Sequence, residues 1–253
     1  MHCMSVEGFL DSEADLDPTG DYNPITCPAC HSVHDEDVVN PAMIRADNST
    51  ELCGLCHNAE RHPQYTILTG GAHGLTGLVL CTDCHGYQQG SHGAEMNHTF
   101  AVMPEDSCGQ SAECHEGVED WAINQLEEIQ SSFTALVEDF TTEADAFEAI
   151  VVAYNATAGA NVTLVEELMD VLDTASAEVQ MYIYDGSSGF HDPMGAFNTV
   201  NGAYLDLLEA ESLYYQNAPA AAGFSADTLI IVGGAAGGIV VGLLLGVLVG
   251  RRR

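Results

Sequence analysis

The strongest constraint on this chain is a motif that occurs three times between residues 27 and 85. In each copy two residues separate a pair of cysteines, and a histidine follows the second cysteine directly. This pattern is the attachment signature of c-type haem, in which the thiols form thioethers with the porphyrin and the imidazole becomes the proximal iron ligand. Paired Cys-x-x-Cys motifs also bind zinc, but a zinc ribbon has no need of these histidines. The motifs therefore predict thioether bonds from six cysteines and iron ligation by three histidines: Cys27, Cys30, Cys53, Cys56, Cys81 and Cys84, with His31, His57 and His85.

A fourth and less regular motif follows at residues 108–115. Five residues separate Cys108 from Cys114, and His115 comes directly after. The additional residues can bulge outward while both sulfurs reach the ring, or Cys114 alone can hold it. We expect a fourth haem here with His115 as proximal ligand, which makes four covalently bound haems. Cys3 is left over, and the sequence does not distinguish a free thiol, a lipid site and the remnant of another motif.

The segment 27–117 shows no sustained helical or strand periodicity, and it is rich in Gly, His and Cys. Four porphyrins would supply the apolar core that its side chains lack, so we expect cofactor and fold to be inseparable here. From residue 118 onward, apolar residues recur at steps of three and four with acids on the opposite face, which predicts three amphipathic helices. Three such helices can form a small antiparallel bundle.

The C-terminal end predicts a membrane anchor. Residues 229–250 form an uncharged run of 22 residues that ends at three arginines, Arg251, Arg252 and Arg253. This length spans the hydrocarbon layer as a helix, and the arginines are expected on the cytoplasmic side. Glycine recurs every fourth residue, which fits either a dimerising ridge or a solitary glycine-rich anchor. The first residues have neither the basic start nor the apolar core of a secretory signal, so we expect the signal to have been removed or to lie upstream.

The predicted fold class is thus mostly α, with a loop-rich multihaem segment, a small antiparallel helical bundle and one C-terminal transmembrane helix. The predicted organisation has six parts: an acidic lead-in at 1–26, the tetrahaem segment at 27–117, the helical bundle at 118–216, a linker at 217–228, the transmembrane helix at 229–250 and a cytoplasmic basic end at 251–253.

The charge of the chain is extreme. Asp and Glu number 38 against 5 Lys plus Arg, none of them lysine, and the formal net charge is −33. Such a chain has no affinity for a phosphate backbone, so nucleic acid is excluded as a partner. The composition is typical of proteins from salt-loving archaea, although an acidic docking face for a basic partner is the alternative.

Because the carboxylates repel one another in dilute buffer and are screened in concentrated salt, we expect the melting temperature to rise with ionic strength. Thermal melting in dilute buffer and in about 1 M salt tests this, since the screening length falls to about 3 Å at that concentration. Equal stability in both conditions would contradict the halophilic interpretation.

Of the 11 histidines, seven lie outside the motifs and are candidates for the distal iron positions. The segment 27–34 followed by the second motif resembles the doubled haem motif of multihaem cytochromes. The stretch 71–85, with His98 before the next pair, resembles the tetrahaem and octahaem c-type cytochromes allied to the cytochrome c nitrite reductases and hydroxylamine oxidoreductases. In that group a late Gly-x-His-Asn-Pro element supplies a distal histidine, and Gly189-Phe-His-Asp-Pro193 is similar to it.

Asp192 can cap the helix that follows, and Pro193 suits the first helical position, which would place His191 on a defined backbone. The predicted distal ligands are therefore His34, His73, His98 and His191, with His62 and His92 as reserves.

Two functions follow from this pattern. With both axial positions of each iron closed by histidine, the chain would be an electron-transfer protein and not an enzyme, held at the extracytoplasmic face of the cell membrane. Its partners would be an electron donor and an electron acceptor. A protein, quinol and an extracellular acceptor are equally compatible with the sequence. The chain could also form a homodimer or polymer through the glycine-rich helix or the haem segment. The alternative is a reductase of nitrite or hydroxylamine, or the cytochrome subunit of such a complex. That family typically holds its catalytic haem by a lysine, and this chain has none.

Overall fold

The computed structural model describes residues 27–32, 43–86, 100, 102–109 and 114–218. All regular elements in these ranges are helices, and the extended pairing there consists of isolated bridges, which confirms the mostly helical fold class. The helices are α1 Cys27–Cys30, α2 Ser49–Gly54, α3 Gln64–Gly70, α4 Ala72–Leu75, α5 Cys81–His85, α6 Pro104–Ser107, α7 Glu119–Asn155, α8 Val162–Asp185 and α9 Pro193–Asn217.

The predicted lead-in at 1–26, transmembrane helix at 229–250 and basic end at 251–253 lie outside the described residues, as does most of the linker at 217–228. Within the described part of the chain, every helix is too short or too polar to cross a membrane.

Two compact units are present. The first comprises residues 1–134 and 181–196, and the second comprises residues 135–180 and 197–253, each as far as it is described. All four motifs belong to the first unit, together with the beginning of α7, the end of α8 and the start of α9. The predicted domain boundaries at 26, 117, 216 and 228 stay predictions.

The second unit has an apolar core built from three helices. Buried side chains recur at three- and four-residue steps along each helix, as the periodicity predicted. The ring of Phe140 contacts Tyr204 at 5.4 Å between centroids, and Phe147 contacts Tyr214 at 6.0 Å, so α7 and α9 run in the same direction. The buried face of α9 also contains Ala203 and Ala210, which periodicity of large apolar residues does not reveal.

Leu168 lies at the centre of this core, with 0 % of its surface exposed. Truncation to alanine leaves a cavity, so Leu168→Ala is expected to lower the free energy of unfolding by about 2–5 kcal/mol. Leu205→Ala is the matched control, because Leu205 is 67 % exposed in α9 and its replacement should change stability by less than about 0.5 kcal/mol. Denaturant unfolding of the haem-loaded protein measures both, and similar losses would contradict the assigned core.

The first unit is packed differently around its motifs. Ile67 is the one large apolar side chain that is buried among the described residues of 27–117. Short polar contacts join the small helices instead: the Ser49 hydroxyl lies 2.7 Å from that of Thr82, and the Ser107 hydroxyl donates to the Cys84 carbonyl at 3.2 Å. This segment has little apolar core of its own.

Candidate haem-binding site

The motif backbones form tight turns that bring each histidine next to its first cysteine. The His31 amide donates to the Cys27 carbonyl at 2.8 Å, and the His57 amide donates to the Cys53 carbonyl at 2.9 Å. In the irregular motif the His115 amide donates to the Cys108 carbonyl at 2.9 Å. The longer spacing therefore closes with the same backbone hydrogen bond as the regular motifs.

The thiols of successive motifs are neighbours. Cys53 of the second motif shares a side-chain hydrogen bond with Cys81 of the third and also interacts electrostatically with Cys30 of the first. Cys84 of the third motif interacts in the same way with both thiols of the fourth, Cys108 and Cys114. The four motifs therefore follow one another in space in their order along the chain.

Three motif histidines each lie close to a second histidine outside the motifs. The ring centroids are 6.1 Å apart for His57 and His62, 6.3 Å for His115 and His73, and 6.1 Å for His85 and His191. A metal that binds two imidazole nitrogens at about 2 Å each separates the ring centroids by about 6 Å, because each centroid lies about 1 Å behind its nitrogen. The spacing of all three pairs therefore fits an iron between the rings.

These pairs include two of the predicted distal histidines, His73 and His191. The partner of His57 is His62, which the sequence analysis ranked only as a reserve. A tight turn brings it there, with the His62 amide donating to the Ala59 carbonyl at 2.8 Å. Its position five residues after His57 is the signal that could have ranked it higher. The predicted ligands His34 and His98, and the reserve His92, lie outside the described residues.

Three of the paired imidazoles also make a hydrogen bond through Nδ1. His57 contacts the Gln64 side-chain oxygen at 3.2 Å, His85 contacts the Phe100 carbonyl at 3.1 Å, and His191 contacts an Asp185 carboxylate oxygen at 2.7 Å. A partner at Nδ1 fixes the ring and leaves Nε2 for a metal.

The loop before α9 holds His191 in place. The Ser187 hydroxyl accepts from the His191 amide at 3.0 Å, and Asp192 caps the helix by accepting from the Gly195 amide at 3.1 Å. α9 begins at Pro193, so the predicted capping arrangement is confirmed. Gly71 packs directly against the His191 carbonyl, where any side chain would collide with it.

Burial sets the protonation of several of these groups. It lowers the pKa of His73 and His85, which favours the neutral imidazole that binds metal ions. Burial also raises the pKa of the Cys84 thiol to about 12, and the hydrogen bond from Cys53 lowers the pKa of Cys81.

Across the described ranges, no three His, Cys, Asp or Glu side chains are grouped so as to hold a metal ion.

Large apolar side chains lie exposed close to the motifs. Leu55 and Leu75 are 62 % and 75 % exposed, and Trp121, 56 % exposed, lies 5.6 Å from the His115 ring. Contact of such side chains with water is unfavourable, and packing against the apolar face of a porphyrin would bury them. The thiols, the paired imidazoles and this apolar surface together fit c-type haem.

Repeated thiol–imidazole motifs on a helical scaffold define a multihaem c-type cytochrome. The sequence profile of the cytochrome c552 family matches residues 45–230, and that of the doubled CXXCH motif matches residues 22–62. The chain belongs to the cytochrome c552 family, which confirms the multihaem c-type cytochrome that its motifs predicted.

Among solved structures, the cytochrome c nitrite reductase of Desulfovibrio desulfuricans ATCC 27774 has a similar fold, with a TM-score of 0.51 and 21 % identity. The match covers 62 % of this chain and 34 % of that chain, so the present chain spans about a third of the reductase. Comparison with curated proteins gives no significant match.

Proposed function

We propose that this protein transfers electrons through four haems whose irons are each held by two histidines. The observation that carries the proposal is the set of three histidine pairs with centroids 6.1–6.3 Å apart. When haem is bound, the two histidines of each pair would both ligate its iron, which would leave that iron no open side for a substrate. When bound, the haems supply reversible one-electron oxidation and reduction.

In this proposal His62, His73 and His191 are the distal ligands opposite His57, His115 and His85. The first motif histidine, His31, is then left for one of the two remaining predicted ligands, His34 and His98. The thioether bonds come from the eight motif cysteines, and their adjacency in chain order supports a continuous series of attachment sites. A series of neighbouring redox centres is the arrangement that electron transfer along a protein requires.

Reduction of nitrite or hydroxylamine is the second candidate, favoured by membership of the cytochrome c552 family and by the fold of the similar reductase. The three closed pairs and the absence of lysine from the chain argue against it. Electron paramagnetic resonance of the oxidised protein separates the two. A wholly low-spin spectrum that does not respond to nitrite supports electron transfer, whereas a nitrite-sensitive high-spin signal supports the reductase.

We also propose the extracytoplasmic, membrane-anchored location predicted from residues 229–253, with redox partners on that side. The uncharged run and the arginines that follow it support this topology. Membrane fractionation of the native source, with protease treatment of intact cells, is the corresponding test. Recovery of the protein in the cytoplasmic fraction would overturn it.

Haem counting tests the cofactor assignment. The intact mass and a pyridine haemochrome assay should give four covalent haems per chain. Replacing both Cys108 and Cys114 by serine should reduce the number to three, because no thiol is left at that site. Cys3→Ser, the matched control, should leave four. Three haems in the unaltered protein would overturn the assignment of the fourth site.

A further inference from the structure

The carboxylate of Asp185 is buried at the end of α8. The residue is 3 % exposed, and one of its carboxylate oxygens lies 2.7 Å from Nδ1 of His191. The other oxygen accepts a hydrogen bond from the Ser187 hydroxyl. A charge this deeply buried is costly unless it is paired, so its place beside one particular imidazole indicates a role.

The paired histidines differ in what contacts Nδ1. For His57 the acceptor is the neutral side-chain amide of Gln64, and for His85 it is the backbone carbonyl of Phe100. His191 alone among these three hydrogen-bonded rings has an ionisable acceptor, and its contact is the shortest of the three. The carboxylate beside Nδ1 therefore distinguishes His191 from His57 and from His85, its own partner ring, although the ligand type is the same.

A carboxylate draws the Nδ1 proton toward itself and so makes the ring a stronger electron donor at Nε2. Stronger donation stabilises ferric iron relative to ferrous iron, and second-sphere hydrogen bonds of this kind are a principal means by which proteins set haem potentials. Burial strengthens the effect, because little solvent screens the carboxylate.

We propose that Asp185 is a positioning residue that lowers the midpoint potential of the haem between His85 and His191, relative to the same haem with an uncharged partner at Nδ1 of His191. This inference rests on the ligand role proposed for His191. With haem bound, Asp185 would accept the Nδ1–H hydrogen bond of His191 in both oxidation states, and the one electron of each reduction would come from the donor of the proposed function.

The surrounding contacts keep this geometry constant. The side-chain nitrogen of Gln64 donates to the carbonyls of Tyr184 and Asp185, both at 3.0 Å, and Gly71 closes against the His191 carbonyl. The carboxylate and the imidazole are thus held by separate backbone contacts, which makes their hydrogen bond a fixed feature of the unit.

The test is a spectroelectrochemical titration of the haem-loaded Asp185→Asn variant. Asparagine keeps the shape and an acceptor oxygen but removes the charge, so one midpoint potential should shift upward while the other potentials stay unchanged. Asp192→Asn is the matched control. It removes the same charge one residue from His191, from a side chain that caps α9 by accepting from the Gly195 amide, so its shift should be much smaller.

An Asp185→Asn titration that superimposes on the unaltered protein, or a shift equal to that of Asp192→Asn, would overturn the proposal. If the variant does not assemble, near-infrared magnetic circular dichroism of the unaltered protein still decides. The energy of the charge-transfer band follows axial donation, so one haem should differ from the others in the direction of a deprotonated imidazole, and identical bands would overturn the proposal. Failure of the proposed function itself is distinguishable, because it would appear as missing covalent haem or as a high-spin spectrum in the unaltered protein.

Discussion

Without covalent haem, the segment 27–117 is expected not to fold. Ile67 is the one large apolar side chain buried among its described residues, and polar contacts between short helices do not offset the conformational entropy of ordering so long a segment. Haem attachment would therefore also be the folding step for this segment. Replacement of the eight motif cysteines by serine should abolish protease resistance throughout 27–117. Limited proteolysis with mass spectrometric mapping measures this loss.

Cys3→Ser provides the control for this experiment, because it removes a thiol but no predicted attachment site. It should retain both its haem content and the protease resistance of the unaltered protein. A haem-free variant with a compact, protease-resistant 27–117 segment would contradict the expectation and would mean that side chains alone hold the segment together.

Removal of a single distal histidine should open one haem per molecule. We expect His62→Gly, His73→Gly and His191→Gly each to convert one haem from low-spin to high-spin and to allow that haem to bind carbon monoxide after reduction, because each variant removes one of two axial ligands. The other haems should keep their spectra. Optical and electron paramagnetic resonance spectra of the three variants measure the effect, with total haem content unchanged.

Added imidazole is the control for a change in fold. In each glycine variant it should occupy the space of the missing ring and restore the low-spin spectrum. A variant that stays wholly low-spin without imidazole would show that the removed histidine is not an iron ligand, and its partner in the structure would need another assignment.

The long helices could be predicted from sequence because their signal is local. Apolar residues at three- and four-residue steps identify α7, α8 and most of α9, and the Asp-Pro pair at 192–193 marks where α9 begins. The periodicity was less accurate for the buried face of α9, where Ala203 and Ala210 contribute. Alanine is neutral in a hydrophobic pattern, so only packing against another helix shows that it is buried.

The type of cofactor could also be predicted from the sequence, because covalent haem attachment requires cysteines and a histidine at fixed short spacing. The pairing of His57 with His62, of His115 with His73 and of His85 with His191 was decided by tertiary structure. For a histidine outside the motifs, the local sequence does not show which other imidazole it will lie beside, because that depends on how distant segments of the chain pack together.

The same distinction applies to Asp185. Among 38 acidic residues nothing in the sequence singles it out, and only the fold buries its carboxylate against the His191 imidazole. The sequence by itself thus determined the type of cofactor that this protein binds, because covalent haem attachment requires a short local motif. The tertiary structure alone decided which imidazoles face each other and which of them is beside a buried charge, because those relations arise between residues far apart in the chain.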